Sequence, residues 1–211
     1  MMDLYSQIPE HLRPHKEENG RLFKSGLLEK ITRTSLWIPV LMHACIVVVF
    51  LFYAITSFGL SISTVLILFF AGIITWTLAE YWVHRSGYHY QTSNKWFLKI
   101  QHLGHGIHHQ HPKDEERLAM PPLPALLLIS LFYSIFWLVA GKYANAFFPG
   151  FLTGYMAYII LHYAQHRYKH PNFPPLKKLW KHHALHHYKY PETKAFGVST
   201  RLWDYIFNTM P

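Results

Sequence analysis

The chain is 211 residues long, 51% hydrophobic and 15% charged, with a net charge of +9 and a single cysteine. That balance excludes disorder, collagen and coiled coil, and the lone Cys45 excludes a disulfide framework or a thiolate metal site within one chain. The basic residues flank apolar segments instead of lining a patterned soluble surface, which points to a membrane, not nucleic acid, as the anionic partner.

Residues 1–35 read as a polar lead-in with one interfacial helix around Arg21 to Ile31. The run 36–60 contains no Asp, Glu, Lys or Arg. At about 1.5 Å per residue it exceeds the roughly 30 Å hydrocarbon core and predicts a membrane helix. A second run, 61–83, carries one acid, Glu80, near its end, and the short turn at Gly59 and Ser61 makes the two an antiparallel hairpin. Runs 121–140 and 143–161 predict a second hairpin, joined across Gly141 and Lys142. The expected fold is an all-α integral membrane protein, with four transmembrane helices in two hairpins and a His-rich helical cap from 84–120 and 162–211. Residues 36–211 then form one membrane domain. An even number of spans puts the N-terminus, the middle loop and the C-terminal segment on one side, where 19 of the 20 Lys and Arg lie, Lys142 excepted. By the positive-inside rule that side is cytoplasmic, in a bacterial inner membrane or the endoplasmic reticulum. Trp37, Trp82 and Trp180 read as interfacial anchors.

Fourteen of the 17 histidines lie at or after residue 84, in spaced clusters. HRSGYH holds His84 and His89; HGIHH holds His105, His108 and His109; HYAQH holds His162 and His166; HALHH holds His183, His186 and His187. Helical residues three and four apart share a face, so HxxHH is expected to aim three imidazoles at one point and HxxxH two. The i, i+5 spacing of His84 and His89 does not share a face well, which predicts fraying at Ser86 and Gly87 that lets His89 turn back. Ten imidazoles are too many for one ordinary mononuclear site, since tetrahedral zinc takes four ligands, and two adjacent metals fit the count better. Imidazole suits iron, zinc, copper and nickel, so the ligand type leaves the metal open. An iron pair beside a membrane would activate dioxygen for attack on a lipid C–H bond. The bland alternative is a basic, membrane-facing histidine patch.

The isolated His11, His15, His43, His111 and His170 read as hydrogen-bonded core or interfacial residues. His102 and His182 read as supports beside the ligands or as surface residues. Glu80, one turn before His84, either orients a ligand imidazole through its second ring nitrogen or reaches for Arg85 or water. Asp204 invites the orienting role as well.

The order HRSGYH, HGIHH, HYAQH and HALHH between paired spans resembles the integral-membrane fatty acid hydroxylase superfamily, which includes sterol desaturases. RLAMPP at Arg117 to Pro122 and FGVSTRLWDYIFNTMP at Phe196 to Pro211 resemble its fatty acid 2-hydroxylase branch. The resemblance implies a dinuclear centre ligated by His84, His89, His105, His108, His109, His162, His166, His183, His186 and His187. It implies two iron ions, which zinc can replace in purified protein, with dioxygen and an external electron donor. The implied reaction is hydroxylation of a long fatty acyl chain at carbon 2, on a free acid or a ceramide. The 35 residues before the first span are too few for the cytochrome b5 domain of eukaryotic members, so the implied partners are a membrane lipid and a separate cytochrome b5, ferredoxin or rubredoxin with its reductase. Lys113, Arg117 and Tyr88 are candidates to hold the lipid's polar head. Competing readings are a sterol desaturase or carotenoid hydroxylase, or a non-catalytic His-rich metal-binding or transport protein. Transport calls for ionisable groups at mid-span, and the span centres are nearly bare.

Overall fold

The computed structural model of the chain describes residues 8–15 and 19–211, so part of the polar lead-in, residues 1–7 and 16–18, lies outside the described residues. The described residues form helices and turns without strands. Three stretches are long and apolar enough to cross a membrane: Trp37–Thr56, Ile62–Tyr88 and Glu115–Arg167. The third contains two helices and a chain reversal.

The lead-in contributes α1, Gly26–Ile31, whose Ser25 side chain accepts from Leu28 N. It is shorter than the helix predicted from Arg21, because the Glu29 carboxylate takes the N–H groups of Leu22 and Phe23 and folds that stretch back on itself. The apolar helices are α2, Trp37–Thr56, and α3, Ile62–Trp82, capped by Ser61. They are joined through Gly59, whose φ of +61° suits glycine. Two short helices follow, α4, Lys95–Gln101, and α5, Ile107–Gln110. Then come α6, Pro122–Ala140, and α7, Ala144–Arg167, separated by the reversal at Gly141, where φ is +54°. Phe132 and Phe136 of α6 pack on Phe151 of α7 as the chain doubles back. The chain ends with α8, Pro174–Tyr188, and the single turn α9, Leu202–Ile206.

α7 is the axis of the bundle. A Cβ on Gly150 would sit 1.9 Å from Phe69 O, and one on Gly72 2.2 Å from Phe147 O, so only glycine lets α3 and α7 cross this closely. Phe148, Phe151 and Leu152 of α7 gather Phe50, Trp76 and Phe132 from its three neighbours. The outward faces stay apolar: Val48 is 66% exposed, Ile67 69% and Leu138 85%. A water-soluble domain would not leave such continuous hydrocarbon outside, whereas a bilayer matches it. The His-bearing segments collect at one end of the bundle. There the lead-in is tied to the middle loop by His15 N donating to Gln110 O and by Thr34 N donating to Glu116 O.

Candidate metal centre

Each stretch reaches the centre by a different local geometry. After Trp82 the chain does not fray at Ser86 and Gly87. It widens into a π-turn over Val83–Tyr88, in which His89 N donates to His84 O at 3.1 Å. That wider turn lets residues five apart share a face, so the HxxxxH spacing is suited to a π-turn. A second π-turn, His102–Gly106, leads into α5.

The ten box histidines converge in two groups of five, His84, His89, His105, His109 and His186, and His108, His162, His166, His183 and His187. Within each group the ligating ring nitrogens all lie within 4.8 Å of one another. The division corrects the expectation that HxxHH aims three rings at one point. His105 and His109 join the first group while His108 joins the second; His183 and His187 join the second while His186 joins the first. Within each HxxHH box only the i, i+4 pair stays together. The adjacent pairs His108–His109 and His186–His187 straddle the two groups, which meet where His109 stacks on His187 at 4.2 Å.

Backbone carbonyls fix several tautomers. His84 Nδ1–H donates to Phe196 O (2.5 Å), His186 Nδ1–H to Lys194 O (3.1 Å) and His162 Nδ1–H to Leu118 O (3.4 Å). A carbonyl only accepts, so the Nε2 of each of these rings is a bare lone pair. Those Nε2 atoms face further ring nitrogens: His84 to His105 at 2.9 Å, His162 to His108 at 3.0 Å, and His186 to His89 and His109 at 3.2 Å each. All ten rings are buried except His166, which is half-buried. Neutral imidazole nitrogens converging in a dry site, with no carboxylate or thiolate among them, suit a borderline divalent metal. The residues present therefore fit a pair of such ions.

Around the rings runs a buried scaffold that spacing did not reveal. Glu80 hydrogen-bonds neither a box histidine nor Arg85. Its carboxylate accepts from Val198 N (2.7 Å), Ser199 N (2.9 Å) and the Ser199 hydroxyl, while Arg85 donates to Tyr81. Asp204 accepts from Phe196 N (2.9 Å), Gly197 N (2.7 Å), Thr209 Oγ1 (2.7 Å) and His182 Nε2 (3.0 Å). Burial raises its pKa, but these four donors outweigh it and hold the carboxyl below its ordinary value. Both acids thus fasten the loop whose Phe196 carbonyl fixes His84, and His182 turns away from the centre to meet Asp204. His102 is half-buried and joins neither group. The sequence offered only the FGVST stretch, through resemblance, as a sign of this loop.

Two apolar cavities abut the rings. One, about 130 Å³, lies among α2, α3, α6 and α7 and reaches Glu80 and His84. The other, about 480 Å³, lies under the lead-in and α4, between Leu22, Phe23, Ile100 and the rings of His105, His108 and His162. They share Tyr88, Met120, Leu128, Tyr155 and Tyr158 as walls. Tyr88 stacks on His105 (4.9 Å, 16°) and Tyr158 on His162 (5.5 Å, 10°). Arg117 borders the larger cavity but is committed to Gly20 O, Glu29 and Asp114, and Lys113 is exposed and lines neither.

A helical protein with lipid-compatible outer faces and two all-imidazole groups that could each hold a metal ion has the features of a class, the membrane histidine-box proteins. Within it the chain belongs to the fatty acid hydroxylase family, whose model matches residues 69–209. It is 37% identical over 201 residues to a dihydroceramide fatty acyl 2-hydroxylase of Arabidopsis thaliana, covering 92% of this chain and 81% of that protein. It is 33% identical to the fatty acid 2-hydroxylase of Rattus norvegicus, over 90% of this chain and 56% of the rat protein. Among solved structures, full-length Scs7p, in which only the hydroxylase domain is visible, superposes with a TM-score of 0.85 at 33% identity, over 95% of this chain and 76% of that one.

Proposed function

We propose that the chain hydroxylates a long fatty acyl chain at carbon 2, on a free acid or a ceramide, through metal ions held by the ten histidines of the two groups. The observation that carries this reading is the position of the rings: His84 closes the end of the membrane cavity, and His105, His108 and His162 form a wall of the larger one. Bound iron would supply dioxygen reduction and C–H oxidation there, drawing electrons from an external donor.

The protein's own contribution is placement. Phe132, Phe148, Phe151 and Leu152 enclose the alkyl chain and exclude water. The shared walls Tyr88, Tyr155 and Tyr158 mark the passage between cavities, where the chain's reacting end meets rings of both groups. The carbonyls of Phe196, Leu118 and Lys194 hold three imidazoles in the ligating tautomer, and Glu80 and Asp204 keep the Phe196 carbonyl in place. With Arg117 ion-paired, the larger cavity receives the rest of the lipid chiefly by apolar contact.

In this reading α2, α3, α6 and α7 each cross the bilayer, and the histidine end faces the cytoplasm, because by sequence 19 of the 20 Lys and Arg belong to the segments assigned to that side. The exposed Leu27, Leu28 and Ile31 of α1 and Trp96 and Ile100 of α4 rest in the adjoining leaflet, beside the mouth of the larger cavity. The test is lipid mass analysis after expression in a host lacking 2-hydroxy fatty acids. Hydroxy acids are expected from the parent and not from His108→Ala; a sterol or carotenoid product, or equal yields from both proteins, overturns the reading.

A further inference from the structure

Leu22 and Phe23 form part of the wall of the larger cavity, yet they belong to no helix. Side chains anchor this strap, Gly20 to Phe23. Gly20 N donates to Asp114 (3.2 Å), and Gly20 O accepts from Arg33 and Arg117 at 3.0 Å each. The N–H groups of Leu22 and Phe23 donate to Glu29, also at 3.0 Å each. Arg21 in turn donates to the carbonyls of Phe23 and Lys24. The strap begins hard against the histidine end, because a Cβ on Gly20 would meet the His111 ring at 2.4 Å and Ile107 at 2.7 Å.

The anchoring charges form one cluster. Arg33 reaches Asp114 (2.8 Å), Glu116 (2.7 Å) and Glu29 (3.3 Å), and Arg117 reaches Glu29 and Asp114. The side chains of Arg117 and Asp114 are 2% and 1% exposed. Taking such charges out of water is costly, and apolar side chains of similar volume would often stabilise the junction as well or better. What the ion pairs add is geometry. A guanidinium offers its donors in a rigid planar fork, so the two arginines and their acids fix where the strap runs.

That position bears on the substrate. Hydroxylation at carbon 2 brings the neighbouring carbonyl to the rings, so the group bonded to that carbonyl falls in the larger cavity. Its other walls come from α4, α6, α7 and the box histidines, which cannot move without disturbing the bundle or the metal groups. The strap carries no box histidine and no membrane helix, so its side chains can set the width of the cavity independently. We propose that Leu22 and Phe23 are specificity-determining residues that gauge the group bonded to the acyl carbonyl, with Glu29 positioning them. An apolar wall whose nearby arginine is already ion-paired favours a neutral group with an alkyl chain of its own over a bare carboxylate. The proposal rests on the hydroxylase reading and names the residues that choose the lipid.

The test uses the iron-loaded full chain in zwitterionic nanodiscs, with single turnover driven by dithionite. The probes are an equimolar mixture of hexadecanoic acid and its amide with a long-chain amino alcohol. Leu22→Trp narrows the cavity and is expected to lower the ratio of hydroxylated amide to hydroxylated acid by about tenfold or more. L22A/F23A widens it and should admit an amide with a branched second chain that the parent rejects. Glu29→Ala leaves both wall side chains in place and should shift selectivity in the same direction as L22A/F23A, whereas a merely structural role lowers both products alike. Leu27→Ala, on the exposed side of α1, should match the parent. Displacement of a spin-labelled amide from the metal-free full chain should follow the same order without turnover. Bound iron at the parental level reports an intact fold, and if Leu22→Trp lacks it, L22A/F23A, which adds no atoms, decides alone. A ratio within about twofold of the parent in the wall variants, or an equal shift in Leu27→Ala, would overturn the assignment. Absence of 2-hydroxy product from either lipid in the parent, with binding still sensitive to Leu22 and Phe23, would instead overturn the hydroxylase reading.

Discussion

The two histidine groups draw on the same helices, α5 and α8, yet are held by opposite parts of the molecule. The first is backed by the C-terminal loop: His84 and His186 donate to the carbonyls of Phe196 and Lys194, and that loop is pinned by Glu80 and Asp204. The second leans on α7, with one long contact from His162 to Leu118 O at 3.4 Å, and its His166 is only half-buried. Ligand number is therefore matched while rigidity and exposure are not. One group is set by a hydrogen-bonded frame and the other by helix packing, so perturbations should separate them.

The largest effect is expected at the straddling turn. His109→Ala removes a ring from the first group and His108→Ala one from the second, although the residues are adjacent. Each should lower hydroxy acid output by roughly 100-fold or more and cut bound metal by about half, with the remaining ion in a different environment in each variant. Elemental analysis with spectroscopy of the retained metal checks this, and indistinguishable residual spectra would refute the division into two groups. Next in size is Asp204→Asn, which keeps the shape but removes the charge facing His182 and two backbone N–H groups. Metal affinity of the first group should fall roughly 10- to 100-fold, that of the second much less. Titration against a graded set of chelators resolves the two, and equal weakening would show that the C-terminal loop does not favour one group.

What the sequence made legible follows from which interactions are local. The apolar helices could be read because a bilayer-length run without charge has few other uses, and the ten box histidines because paired imidazoles recur at helical spacings. Their division could not be read. Whether His108 follows His105 or turns to α7 depends on how α5 sits between α3 and α8, a tertiary fact. The π-turn at Val83–Tyr88 escaped for a related reason, since i, i+5 bonding is rare enough that an α-helical ruler makes HxxxxH look broken. Glu80 and Asp204 lie 118 and 8 residues from the backbone groups they bind, and no periodicity links a carboxylate to a loop so placed.

Acidification should also separate the groups. Metal needs neutral rings, so protons compete with it for the same ring nitrogens and each group should lose its ion as pH falls. Half-buried His166 gives protons and water their nearest approach to the second group, which should release its metal at a higher pH than the first. Metal retained after brief dialysis at stepped pH measures this, and simultaneous release would contradict it.

The smallest expected effect lies at the two tyrosines that back one ring in each group. Tyr88→Phe and Tyr158→Phe keep the stacks on His105 and His162 and remove only hydroxyls, so output should change by no more than about 2-fold. Leu at either position loses the aromatic stack, worth about 0.5–1.5 kcal/mol, or roughly 2- to 10-fold, and reshapes a wall common to both cavities. Tyr88 also lines a third, more polar cavity of about 120 Å³ together with His89 and Gln101, whereas Tyr158 lines only the two apolar ones. Tyr88→Leu should therefore lower output and admit water to the site, raising oxygen consumed per hydroxy acid formed, while Tyr158→Leu should chiefly shift the chain lengths of the product. If oxygen consumption stays coupled in Tyr88→Leu, the ring is a wall and not a seal between the polar cavity and the apolar ones.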